Sequence, residues 1–98
     1  MNISNDPVIQ ELIEEFVDSW IADLENDYAN LISTENSEDL YRLAHTLKGS
    51  CFQFGLDEIA EMGIKLMAIA KEKDWATAKT YEEPLKSKFY EVKELLKK

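Results

Sequence analysis

The sequence predicts an all-α fold, an antiparallel four-helix bundle, and three observations carry that expectation. Apolar residues recur at helical spacing along most of the 98 residues. Three glycines and two prolines punctuate the chain, too few for the turns a sheet protein of this size requires. Breaks at residues 33–36, at Gly55 and at Lys73-Asp74 cut the pattern into pieces of ordinary helix length joined by short connections. Such a chain is expected to form a single domain over residues 1–98.

The first helix opens at Asn5-Asp6-Pro7, with Asp6 as the cap and Pro7 at the first helical position, where a missing amide hydrogen does no harm. Ile9, Leu12, Ile13, Phe16, Val17, Trp20, Ile21, Leu24, Tyr28, Leu31 and Ile32 then form one sustained stripe. The acids between them form a solvated face. Ser33 to Asn36 reads as a loop, and Ser37 is expected to cap a second helix whose first turn carries Glu38 and Asp39, favourable at the positive end of the helix dipole. Steps of 100° place Leu40, Leu43, Ala44, Leu47, Cys51 and Phe54 on its buried side. Tyr41, Arg42, His45, Lys48, Gly49, Phe52 and Gln53 fall on the other.

Gly55 ends that helix, and Asp57 is expected to cap a third running to about Lys73, with Ile59, Ala60, Gly63, Leu66, Met67 and Ala70 facing inward. Gly63 permits close packing against the helix that carries His45. A fourth helix starts at Trp75, with Ala78, Tyr81, Leu85, Phe89, Val92 and Leu96 in register. Pro84 lies inside it, which predicts a kink there or a restart near Glu82 to Glu83.

The net charge is −9, unevenly spread: residues 1–41 hold eleven Asp and Glu and neither Lys nor Arg, whereas residues 42–98 hold nine acids and eleven bases. No concentrated basic face exists for nucleic acid. No apolar run approaches the roughly 20 residues of a membrane span, and no signal-peptide pattern precedes the first helix, so a cytoplasmic, monomeric protein is expected. The single Cys51 makes no internal disulfide, and with the single His45 it makes no zinc site by itself.

That histidine is where the chemistry lies. Lys48 and Gly49 follow it at i+3 and i+4, the surface neighbours of a helical residue. An exposed neutral imidazole is a nucleophile that needs no activating base, suited to attack on an already activated phosphoryl group. Lys48 would offset the charge arriving on the phosphoryl oxygens. Gly49 would let a bulky donor protein reach the nitrogen, and Phe52, with Tyr41, Arg42 and Gln53, would contact that partner. The chain has no Gly-rich phosphate loop, no Walker lysine and no acidic Mg²⁺ cluster, so ATP and metal would belong to the partner, and a carrier rather than an enzyme is expected.

The run His45-Thr46-Leu47-Lys48-Gly49-Ser50, followed by Phe54-Gly55-Leu56, resembles the motif of histidine-containing phosphotransfer (HPt) domains of phosphorelays. Phe16, Trp20, Leu66 and Lys73-Asp74-Trp75 extend the likeness over nearly the whole chain. The resemblance implies a four-helix bundle that takes a phosphoryl group from a receiver-domain aspartate and passes it to another receiver, within a system supplied by a histidine kinase or hybrid kinase. It implies that His45 is the phosphoacceptor, reacting through Nε2 and served by Lys48 and Gly49. It implies no cofactor on the chain itself, with Mg²⁺ on the receiver. Many members place Glu or Gln twenty-two residues after the histidine to hydrogen-bond its ring; here that residue is Met67, whose thioether accepts only weakly. Two other readings use the same residues: a non-phosphorylated adaptor that docks a receiver or kinase through Tyr41 and Phe52, and a substrate domain phosphorylated by an ATP-using kinase.

Overall fold

The computed structural model describes residues 6–96. The Asp6 carboxylate accepts the Val8 amide at 2.9 Å and Pro7 opens the helix, as the sequence predicts. Helix α1 (Pro7–Asp23) passes without a break into a π-helical segment, Leu24–Tyr28, and then into α2 (Ala29–Ser33). A rod of that length spans about 40 Å at the α-helical rise, and the longest dimension of the molecule is 39 Å. The remaining helices are α3 (Ser37–Gln53), α4 (Asp57–Glu72), α5 (Trp75–Lys79) and α6 (Glu82–Leu96). The rod, α3, α4 and the α5–α6 pair make the four layers of an all-helical bundle.

The π segment ends on Tyr28, which is fully buried. Its hydroxyl donates to the Ala78 carbonyl of α5, so the phenol enters the core with its polar group satisfied. Burial, aided by the charge of Glu82, holds its ionisation well above the ordinary tyrosine range. Nothing in the regular apolar spacing of Leu24, Tyr28 and Leu31 announces the wider turn.

The three turns between α2, α3, α4 and α5 share one design. In each, a residue in the left-handed region ends the helix: Glu35 at φ 52°, Gly55 at φ 77° and Lys73 at φ 56°. The following amide then reaches back five residues, Asn36 to Leu31 at 3.0 Å, Leu56 to Cys51 at 2.8 Å and Asp74 to Ile69 at 3.1 Å, closing Schellman motifs. This geometry corrects two caps. The residue after the left-handed one takes the capping position, so Asn36 rather than Ser37 caps α3, accepting the Asp39 amide at 3.1 Å and donating to the Asp39 carboxylate at 2.8 Å. Leu56 rather than Asp57 precedes α4, with no side-chain cap. Its apolar side chain is fully buried instead, and core burial is worth more than a cap.

Pro84 produces a restart rather than a kink. The fourth layer breaks at Thr80-Tyr81 and α6 begins at Glu82, which puts Pro84 in a first turn, where amide hydrogens have no intrahelical acceptor.

Among the described residues the core is wholly apolar apart from the bonded Tyr28 hydroxyl. Leu40, Ala44, Leu47 and Cys51 face it from α3, as expected, while Leu43, Phe54 and the inward-predicted Met67 are only half-buried at the edges of their stripes. Leu12, in the predicted stripe of the first helix, is exposed. Burial pushes the Cys51 thiol up to about 12, so it stays a neutral core group. At one end of the bundle Phe16 meets Phe54 at 4.8 Å and Phe89 at 6.4 Å, and Trp20 stacks on Phe89 at 6.2 Å, joining the rod, the end of α3 and α6.

The closest approach is that of α3 and α4. A Cβ on Gly63 would lie 3.0 Å from the Lys48 amide nitrogen, 3.1 Å from the Ala44 carbonyl oxygen and 3.3 Å from the Lys48 Cα. These are backbone atoms that cannot turn aside.

Two stability predictions follow from this packing. Gly63→Ala must force α3 and α4 apart and should destabilise by about 1–3 kcal/mol, and Leu47→Ala, a core truncation, by about 2–5 kcal/mol; urea unfolding of each variant against wild type measures both. Glu35→Gly should do the reverse. It relieves a left-handed backbone strain of about 1–2 kcal/mol against about 0.5–1 kcal/mol of added chain entropy, so a midpoint at or above wild type is expected and a clear loss would refute the strain.

Candidate functional site

The face of α3 turned away from its buried side carries the sequence-predicted constellation. At 100° per residue, Tyr41, His45, Lys48 and Phe52 fall within about 60° of one another, with Gly49 about 40° further round. The structure bears out this strip: His45, Gly49 and Phe52 are exposed, and Tyr41 and Lys48 are half-buried on the flank nearest α4. Phe52 presents 46 % of its surface to solvent, a large aromatic left uncovered one turn beyond Lys48.

The two glycines nearest this strip do opposite jobs. Gly63 lies beneath it and lets the backbones of α3 and α4 touch. Gly49 lies on its surface, where an added Cβ would meet nothing within 4 Å. Its missing side chain therefore serves no internal packing and leaves only open space beside His45.

The two basic residues nearest His45 on α3, Lys48 and Arg42, differ in their pairing. Among the described residues no carboxylate pairs with Lys48, one turn from His45. Arg42 is exposed, and its guanidinium pairs with Glu38 at 3.3 Å and Asp39 at 3.5 Å within its own helix, so its charge is partly offset. Gln53 is exposed on the same flank as Arg42, away from α4.

The His45 ring has one neighbour of note. The Tyr41 ring lies nearly parallel to it, 25° between planes and 6.5 Å between centroids, and the Lys71 ammonium of α4 stands 5.9 Å from the Tyr41 centroid. The stack is latent in the i,i+4 spacing of Tyr41 and His45. Lys71 could not be found that way, because it arrives from another helix. Among the described residues nothing hydrogen-bonds the imidazole. Met67 lies one turn from both Gly63, which faces Ala44 and Lys48, and Lys71, which faces Tyr41; this register sets it at the level of His45.

Chemically, the strip offers an accessible imidazole nitrogen, a free ammonium one turn away and an uncovered aromatic beyond it. Beside Tyr41 a shallow groove of about 240 Å³ is lined by Ser37, Glu38, Tyr41, Ala70 and Lys71. Among the described residues no three His, Cys, Asp or Glu side chains converge as a metal site, and no helix is long and apolar enough to cross a membrane.

No curated protein and no solved structure shows significant similarity to the chain. Residues 11–97 match the family described as Hpt domain, whose members serve phosphotransfer in two-component relays and engage receiver domains and histidine kinases. A match across essentially the whole length, on an all-helical fold, identifies the protein as a member of the Hpt domain family.

Proposed function

We propose that this protein is a phosphorelay intermediate in which His45 takes a phosphoryl group from the aspartyl phosphate of one receiver domain and passes it to the aspartate of another. The observation that carries this reading is an exposed imidazole beside an unpaired Lys48 and an unobstructed Gly49. The lone pair of the imidazole nitrogen forms the N–P bond while the P–O bond of the aspartyl phosphate breaks and the carboxylate leaves with the electron pair. Onward transfer is the same exchange in reverse. Both steps run between groups of similar phosphoryl potential, so the carrier needs positioning and charge compensation rather than its own ATP site.

Each neighbour has a part in that exchange. Lys48 attracts the equatorial phosphoryl oxygens as negative charge reaches the ring. Mg²⁺ is supplied by the receiver, whose acidic pocket holds the phosphorylated aspartate. Gly49 lets the receiver surface close over His45, and Phe52 and Tyr41 give it apolar contact. Arg42, paired within its own helix, contributes little to attraction and more to local helix stability.

Incubation with a phosphorylated receiver and Mg²⁺ should label the wild-type chain and leave His45→Gln unlabelled at equal folded concentration. Lys48→Ala should slow labelling by about tenfold or more. Gly49→Ala should raise helix stability by up to about 1 kcal/mol, because its Cβ enters open space, yet slow transfer. Equal transfer rates for Gly49→Ala and wild type would remove the access argument.

A further inference from the structure

A nucleophilic imidazole on a surface must hold its plane toward the donor, and the usual device is a hydrogen bond that the N–H of the other ring nitrogen donates to a carboxylate, amide oxygen or carbonyl. Here no such bond exists among the described residues, and the α4 residue at the level of the ring, Met67, carries only a thioether. What His45 does have is an aromatic neighbour. Tyr41 lies one turn earlier at 6.5 Å and 25°, inside the separation at which offset aromatic pairs attract.

Tyr41 is suited to be the fixed partner of the two. It is half-buried and packed against the core, whereas His45 is exposed. It is also held from across the groove, where Lys71 of α4 places its ammonium 5.9 Å from the ring centroid, within cation–π range. The order of restraint runs from α4, through Lys71, to Tyr41 and then to His45. No acid pairs with Lys71 among the described residues, so the ammonium is left to the ring.

We infer that Tyr41, braced by Lys71, is a positioning residue that sets the ring plane of His45 by stacking, in place of a hydrogen bond donated to α4. This rests on the proposed reaction at His45. A stack has a consequence that a hydrogen bond lacks: it restrains the plane of the ring while leaving both nitrogens free of a fixed acceptor.

The test compares Tyr41→Phe with Tyr41→Leu in the full chain. Both replacements are apolar and fill the half-buried site, so a merely structural Tyr41 would tolerate them alike; only phenylalanine keeps a π-face. Two quantities are read after thermal unfolding confirms that each variant is folded: the proton chemical shifts of the His45 ring, which sense the ring current of a stacked aromatic, and the rate of His45 phosphorylation by phosphoramidate, which needs no receiver. Tyr41→Phe is expected to keep the shifted ring signals and to react within about twofold of wild type. Tyr41→Leu is expected to lose the shift and to slow labelling by about three- to tenfold, the loss of one aromatic pair. Lys71→Met is expected to fall between them. Equal ring shifts or equal rates in the phenylalanine and leucine variants would overturn the inference. Failure of phosphorylated receivers to label wild type, with the phosphoramidate pattern as expected, would instead sink the relay reading and leave the stack in place.

Discussion

The backbones of α3 and α4 touch at Gly63, and the site exists in its present form because they do. A side chain at that position would run into the Lys48 amide and the Ala44 carbonyl, the two residues that bracket His45 in sequence. Close contact on that side half-buries Tyr41 and Lys48 on the flank nearest α4 and leaves His45, Gly49 and Phe52 exposed. It also brings the next turns of α4, Met67 and Lys71, level with the imidazole and with Tyr41. A helix pair held further apart would still bury Leu47 and Ala44, but the ammonium of Lys71 would no longer reach the tyrosine ring.

The rest of the molecule supports that pair. The long rod lays Ile13, Val17, Trp20 and Leu24 along the core, and its far end is tied to α5 through Tyr28 and Ala78. Phe16, Trp20, Phe54 and Phe89 lock the other end. Core residues thus fix where α3 lies, and polar residues on its outer face are free to be chosen for encounter. The division of labour appears in the two glycines, one essential to packing and one open to solvent.

Much of this was legible in the sequence. The apolar stripes placed the helices, Asp6-Pro7 marked the first start, Gly55 marked a helix end, and Gly63 announced close packing. The strip from Tyr41 to Phe52 followed from 100° steps alone. What escaped lay in how the helices end, dock and pair their charges. Glu35 and Lys73 adopt left-handed conformations that glycine would have advertised, because the Schellman bonds and the packing around them outweigh the strain. Leu56 replaces a polar cap because the core claims its side chain. The π segment matches the rod to Tyr28 and α5, and Lys71 reaches Tyr41 only after α4 has docked. Arg42, expected among the partner contacts, also forms ion pairs within its own helix to Glu38 and Asp39.

The central claim is that His45 carries a phosphoryl group on a ring nitrogen, and phosphorus-31 NMR of the chain after reaction with a phosphorylated receiver tests it most directly. The account predicts one phosphorus resonance in the phosphoramidate range, stable in base, lost in mild acid and absent from His45→Gln. A label that persists in acid, as on a hydroxyl, or that survives the loss of His45 would contradict it.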